Sequence, residues 1–226
     1  TRILARTTDE LLETDIADYA LEALKHSSVK DIYVLGRRGA AQAAFTNPEI
    51  KELGEMDGAD IIVDPQEVAL DEYSQEALNE DRVALGNVQI MTRYSQVAPA
   101  GKAKRIIMRF LVSPVEIIGT DRVEAIKVVH NVLVKREDGS LAAKPTDKTE
   151  IIPVGLVFRS VGYRGVPLPG VPFYDKWGTI PNDAGRVLTT QGGEQVIGDY
   201  CVGWIKRGPS GVIGTNKPDS VETVEK

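Results

Sequence analysis

The residues of this chain that are suited to chemistry gather in two places. The first is Asp31-Ile32-Tyr33-Val34-Leu35-Gly36-Arg37-Arg38-Gly39, where an apolar run stops at two glycines enclosing two arginines. Guanidinium keeps its charge, offers a planar fork of donors and stacks on aromatic rings. A phosphate beside an adenine would use both properties. Where a dinucleotide site for NAD wants an acidic side chain on the ribose hydroxyls, arginines at this point would accommodate the 2′-phosphate of NADP. The same residues also suit an exposed basic turn after a strand, and the local pattern alone does not separate the two readings.

The second place is Gly203-Trp204-Ile205-Lys206-Arg207-Gly208-Pro209-Ser210-Gly211-Val212-Ile213-Gly214-Thr215-Asn216. A glycine-rich approach to a helix N-terminus presents backbone N–H groups to a phosphate or an anionic ring edge. Gly211 and Gly214 would let a flat ring approach the main chain, and Trp204 offers an aromatic face. A purely structural strand-to-helix turn would use the same glycines.

The elements that must hold these residues follow from periodicity. Residues 32–35 form a near-continuous run of strand formers, as expected for a parallel sheet covered by helices on both faces. Ligands in such sheets lie beyond the carboxyl ends of the strands, which is where Arg37 and Arg38 stand. Residues 61–63 repeat the pattern before Asp64-Pro65. Helical spacing surrounds both. Thr8 or Asp9 is predicted to cap a segment through Glu13, and Thr14 to cap residues 16–25. Residues 40–45 are helix-compatible, Asn47-Pro48 opens a helix to Glu55, and residues 73–85 and 88–96 are helical in pattern. This alternation predicts an α/β, doubly wound sheet for the first hundred residues.

Past a loop at 98–104 the pattern changes. Residues 104–112, 115–119 and 123–135 read as strands, with a turn at Glu137-Asp138-Gly139, and together they predict an antiparallel β excursion from the α/β core. Residues 144–148 read as a mobile loop and 156–161 as a returning strand. Prolines and glycines then thicken over 162–185, marking a crossing between domains. The predicted division is residues 1–161 and 162–226.

Composition narrows the function classes. With 226 residues, 42% hydrophobic and 27% charged, the chain has material for one large or two modest cores. A formal net charge of -6 argues against a general nucleic-acid binder while leaving room for a local basic patch. No apolar run approaches the roughly 20 residues of a membrane span and no signal-peptide pattern opens the sequence, so a cytoplasmic location is expected. Cys201 is the single cysteine, read as a small buried hydrophobe, and His26 and His130 read as structural. No HExxH or Cys/His cluster points to a metal, no GxSxG elbow supports a serine triad, and no residue is assigned a catalytic role.

Four blocks, Glu13-Thr14-Asp15-Ile16-Ala17, Gly36-Arg37-Arg38-Gly39, Arg159-Ser160-Val161-Gly162-Tyr163-Arg164-Gly165 and Gly203 through Thr215, occur in order and together resemble adrenodoxin-reductase-type ferredoxin-NADP reductases. The resemblance implies a Rossmann-like NADP-binding domain over 1–161 and the returning part of a Rossmann-like FAD domain over 162–226. It implies that Arg37 and Arg38 hold the adenosine 2′-phosphate, with Glu49 also at the NADP site. Trp204, Gly211, Val212 and Ile213 would contact FAD, and Gly211 would lie close to the nicotinamide of NADP. Hydride would pass from NADPH to the flavin and electrons singly to a ferredoxin, with the cofactors carrying the chemistry. Ferredoxins of this kind are acidic, so Lys206 with Arg207, or the group Lys102, Lys104 and Arg105, would form a docking patch, a solvated basic surface being the alternative.

The family's N-terminal GxGxxG segment and its Gly-Asn-Val-Ala pyrophosphate loop do not occur in this sequence. The expectation is therefore an incomplete, inactive part of such a reductase, or a bare binding module. A nucleotide-binding part of another two-dinucleotide flavoprotein, such as a glutamate-synthase-type electron-transfer subunit, is the other reading. Oligomeric state is left open.

Overall fold

A computed structural model describes residues 1–211 and 213–226, and divides the chain into two compact units, Thr1–Val157 and Phe158–Lys226. The first unit opens with three short helices, α1 (Arg2–Ala5), α2 (Thr8–Leu12) and α3 (Asp18–Lys25). The cap of α2 is Thr7, one residue before the expected pair. Its hydroxyl accepts from the Glu10 N–H at 3.1 Å while the Glu10 carboxylate accepts from the Thr7 N–H at 2.7 Å, a reciprocal capping box. Thr14 does not cap α3, because its hydroxyl donates to the Leu11 carbonyl at 2.7 Å, and α3 begins later, after Ala17.

Then come β1 (Asp31–Leu35), α4 (Asn47–Gly54), β2 (Ala59–Val63), α5 (Glu72–Leu78), α6 (Arg82–Ser95) and β3 (Lys104–Arg109). Residues 40–45 supply only a single 3-10 turn, Ala40–Gln42. The expected helix over 73–85 is split because the Asp81 side chain caps a new helix, accepting from the N–H groups of Val83 and Ala84. The three strands form a parallel sheet in the order β1-β3-β2, with Ile32 opposite Ile106 and Ile61 opposite Ile106 from the other side. Ile106 and Met108 at its centre are fully buried.

An antiparallel sheet follows, β4 (Val112–Ile118), β5 (Ala125–Lys135) and β6 (Leu141–Pro153), in the order β4-β5-β6. It changes the expected layering. Ile32 and Val34 pack into the helical core with Ile50, Met91, Ile106 and Met108, whereas Tyr33 and Leu35 pack against Val112, Ile126, Val128 and Ile152. The other face of β1 is thus covered by the second sheet, not by helices. Residues 144–148, expected to be a mobile loop, lie within β6: Lys144 pairs with Val132 and Pro145 with Asn131. The pairing register shifts between Val129 and Asn131, beside a proline that has no N–H to give.

The second unit is smaller. Strands β7 (Asn182–Asp183), β8 (Arg186–Leu188) and β9 (Gln195–Tyr200) form an antiparallel sheet around Ile180, Val187 and Cys201. The β7–β8 connection is Ala184-Gly185, both at positive φ (51° and 95°), as a tight two-residue hairpin demands. Two helices close the unit, α7 (Trp204–Arg207) and α8 (Ile213–Val224). Residues 156–161 form no strand; Leu156, Phe158 and Val161 are exposed and have no sheet neighbour to pair with. Cys201 is buried as expected, just past the end of β9.

Candidate functional site

The turn at 36–38 leaves the carboxyl end of β1, and its backbone is fixed at every carbonyl. The Gly36 carbonyl accepts from Val112 N at 3.1 Å, that of Arg37 from Asn131 Nδ2 at 2.9 Å, and that of Arg38 from Leu111 N at 3.1 Å. The Gly36 N–H donates to the Arg109 carbonyl at 2.8 Å. Gly36 is required by packing: a Cβ there would sit 2.9 Å from the buried Phe110 ring. The turn is therefore held by the corner between β3 and β4 on two sides and by β5 in the middle.

The two side chains are treated differently from their backbone. Arg37 and Arg38 are exposed, and neither guanidinium has a hydrogen-bond or ion-pair partner among the described residues. Arg109, at the end of the neighbouring strand, is the contrast: its guanidinium donates to Glu67 at 2.8 Å and to Glu150 at 3.2 and 2.8 Å. The Glu150 hydrogen bond pushes the Arg109 pKa further up, burial working against it, and the same bond holds Glu150 below the usual carboxylate range. Arg105 is likewise spent on Asp31 through two bonds of 2.7 Å. Arg105 and Asp31 pair at the amino end of the sheet; its carboxyl end presents two cations without a partner among the described residues beside one, Arg109, that is neutralised. Free guanidiniums on a fixed backbone suit a doubly charged phosphate.

Glu49 stands elsewhere in its bonding. It lies in the first turn of α4, where its carboxylate accepts from the Thr46 N–H at 2.8 Å and hydroxyl at 2.9 Å, and these bonds lower its pKa. Its nearest charged influences are Arg2 and Glu52, not the arginine turn.

In the second unit, Trp204 opens α7 and stacks on Tyr163, ring centroids 5.7 Å apart at an interplanar angle of 30°. Gly211 has φ 78°, and a Cβ on it would meet the Thr215 hydroxyl at 2.3 Å, so the glycine is demanded by the first turn of the helix that follows it. Gly214 is open, with nothing within 4 Å of where its Cβ would be. Val212 and the Ile213 side chain, both expected at a flavin, lie outside the described residues. A surface depression is lined by Arg207, Ser210, Gly211, Thr215, Asp219 and Glu222, among others. Among the described residues no group of three or more His, Cys, Asp or Glu could hold a metal ion, and no helix is long and apolar enough to cross a membrane.

The cations expected to form a docking patch all have partners within the fold. Lys206, whose side chain is 7% exposed, reaches Glu222 at 2.8 Å, Asp219 at 3.3 Å and the Thr223 hydroxyl at 3.1 Å. Burial pulls its pKa down, but the two carboxylates more than offset this and leave it raised. Arg207 bonds Asn216 and Thr215, lacing the segment between the helices. In the first unit Lys104 donates to the carbonyls of Leu4 and Arg6 at 2.8 and 2.9 Å, and Lys102 donates to that of Met56. With Arg105 bound to Asp31, each of the five side chains has a structural partner.

Sequence reasoning missed Leu111 and Asn131. A signal was present for Asn131: with His130 it interrupts the apolar strand Val128-Val129-His130-Asn131-Val132-Leu133, and a polar residue inside such a run needs a partner. Leu111 gave none, since nothing in its identity announces a φ of 52°.

No family model matches the chain. It is 46% identical over 225 residues to NADPH-ferredoxin reductase FprA of Mycobacterium tuberculosis, covering 99% of this chain and 48% of that protein. It is 36% identical over 231 residues to the human mitochondrial NADPH:adrenodoxin oxidoreductase, covering 98% of this chain and 46% of that protein. Among solved structures, Mycobacterium tuberculosis FprA in complex with NADPH matches with a TM-score of 0.89 at 45% identity, covering 99% of this chain and 48% of that one. The resemblance to adrenodoxin-reductase-type ferredoxin-NADP reductases is thus borne out, as is the α/β fold class, and the chain spans about half the length of the curated relatives it matches.

Proposed function

We propose that this chain is the NADP-selecting part of an NADPH-ferredoxin reductase, an oxidoreductase in which Arg37 and Arg38 bind the 2′-phosphate of NADPH. The observation that carries the reading is the pair of exposed, unpaired guanidiniums on a backbone fixed at three successive carbonyls, beyond the end of a parallel strand. A dianionic phosphate would receive two charge-assisted contacts there, and NADH would receive neither. Glu49 enters this proposal only at the margin, since its carboxylate is engaged by Thr46.

In the second unit the proposal assigns Trp204, Gly211, Val212 and Ile213 to FAD, with Gly211 near the nicotinamide. The described residues fit this in part: Trp204 supplies an aromatic surface, and open space at Gly214 leaves the first turn of α8 approachable. FAD held by these residues would supply the exchange between hydride transfer from NADPH and one-electron transfer to an iron-sulfur acceptor. The protein's own residues then orient the nucleotide and exclude water, and no acid/base pair is required. The relatives named for ferredoxin and adrenodoxin support an iron-sulfur protein as the electron acceptor.

The test is NADPH-dependent reduction of ferredoxin by the intact protein, followed by the absorbance of each. Two ferredoxins reduced per NADPH consumed is the expected result. A protein that binds NADPH but passes no electrons to any iron-sulfur acceptor would refute the activity while leaving nucleotide binding in place.

A further inference from the structure

The donors that fix the arginine turn are not of one kind. Val112 N and Leu111 N are main-chain groups of the adjoining β3–β4 corner, but the donor to the Arg37 carbonyl is a side chain, Asn131 Nδ2 at 2.9 Å, delivered by the central strand of the antiparallel sheet. Asn131 is 5% exposed, and its amide also donates to the Ser113 hydroxyl at 2.8 Å. Its own N–H donates to the Leu111 carbonyl at 2.7 Å. One residue thus ties the arginine turn, the corner and β4 together.

This arrangement carries two costs. Leu111 sits at φ 52°, the left-handed region in which a residue with a Cβ is strained. Asn131 Oδ1 is buried with no hydrogen-bond partner among the described residues. Neither cost is needed to satisfy the turn, because a carbonyl between two exposed arginines can bond to water. What the side chain adds is position: it fixes the peptide from which both guanidiniums extend. Bidentate contacts tolerate little displacement, and a shift of about 1 Å at such a group loses much of its contribution.

We infer that Asn131 is a positioning residue for the arginine pair, setting the preference for a 2′-phosphorylated nucleotide without touching it. This rests on the proposed role of Arg37 and Arg38. The antiparallel sheet is then part of the selectivity apparatus, and its register shift next to Asn131 belongs to the same device.

The experiment measures KM and kcat for NADPH and for NADH in the intact protein. Four variants are compared: Asn131→Ala, Ser113→Ala, Arg37→Ala and Ile152→Val. Ile152 is buried in the same core and touches no carbonyl of the turn, so its variant reports lost stability alone. The expected result for Asn131→Ala is a roughly 10-fold rise in the NADPH KM with kcat kept and NADH kinetics unchanged, while Ile152→Val melts earlier with selectivity intact. Ser113→Ala, which frees the Asn131 amide from its other acceptor, gives a smaller shift in the same direction and serves if Asn131→Ala does not fold. Equal losses for both nucleotides, or unaltered selectivity in the Asn131 or Ser113 variant while Arg37→Ala abolishes it, would overturn the inference and leave the function standing. Unchanged selectivity in Arg37→Ala would remove the function and the inference together.

Discussion

The arginines of the first sheet show how similar side chains come to do different work. Arg105, at the amino end of the sheet, and Arg109, at its carboxyl end, each end on carboxylates, whereas Arg37 and Arg38, just past the carboxyl end of β1, end in solvent. Residue type does not separate them; the separation is made by Asp31, Glu67 and Glu150, which the fold brings from 41 to 74 residues away. The motif itself was therefore readable as guanidiniums after a strand, but its freedom from partners was not. Gly36 gives a first prediction. Gly36→Ala puts a methyl group against the Phe110 ring, so the turn must shift, and NADPH affinity falls several-fold with little change for NADH, as nucleotide titration would show. Asp60 gives a second. Its buried carboxylate accepts from the N–H groups of Ala100, Gly101 and Lys102 at 3.0, 2.9 and 2.9 Å. Burial raises its pKa, yet the three N–H bonds prevail and leave it lowered. A carboxylate whose folded pKa is depressed stabilises fully above its unfolded pKa of about 3.9, and that contribution disappears as pH falls through the lower folded value. Asp60→Ala should cost about 1.5–3 kcal/mol at neutral pH, and the gap from wild type should narrow below about pH 4 in denaturant titrations.

At the scale of elements, apolar runs that find neighbours became strands and those that do not stayed irregular. Residues 32–35 and 61–63 were legible because Ile106 and Met108 lie between them in the sheet. Residues 156–161 open on a similar apolar run, Leu156-Val157-Phe158, but have no strand beside them, and Phe158 and Val161 stay exposed. The reverse error concerned residues 144–148, polar in sequence yet part of β6, because an edge strand paired only to β5 tolerates Lys and Pro. The glycine-rich segment 203–216 was legible as a strand-to-helix approach, but not the buried cluster beneath it. There Asp219 accepts from the Gly203 N–H and faces Lys206 and Arg207 at 3.3 and 3.5 Å. Removing Asp219 strips the Gly203 N–H of its acceptor and leaves the buried Lys206 only the exposed Glu222 as a carboxylate partner, so Asp219→Ala is expected to cost about 3 kcal/mol and to lower the melting temperature. Asp219→Asn, which keeps an acceptor for Gly203, should cost less in the same melting experiment.

For the molecule as a whole, the proposed docking of an acidic ferredoxin on a chain of net charge -6 requires a local basic surface, and the five cations first suggested by sequence have structural partners. Lys and Arg in a sequence announce charge; whether a neighbour has already taken it is a tertiary property. Replacing Arg105 by Gln should therefore lower stability slightly, through loss of an exposed pair worth about 0–1 kcal/mol, and leave the salt dependence of ferredoxin reduction as in the wild type. A flattened salt response would place Arg105 in the docking surface after all. The two units divide at 157/158, a few residues before the Pro- and Gly-rich stretch that marks the crossing in sequence.

Selection of NADPH by the arginine pair is the central claim, and nucleotide preference tests it most directly. In the intact protein, the ratio of kcat/KM for NADPH to that for NADH should fall by about 10- to 100-fold in Arg37→Ala and in Arg38→Ala, through the NADPH term alone, as expected for loss of one charge-assisted phosphate contact of about 1.5–3 kcal/mol. Equal loss for both nucleotides, or no loss for either, would contradict it.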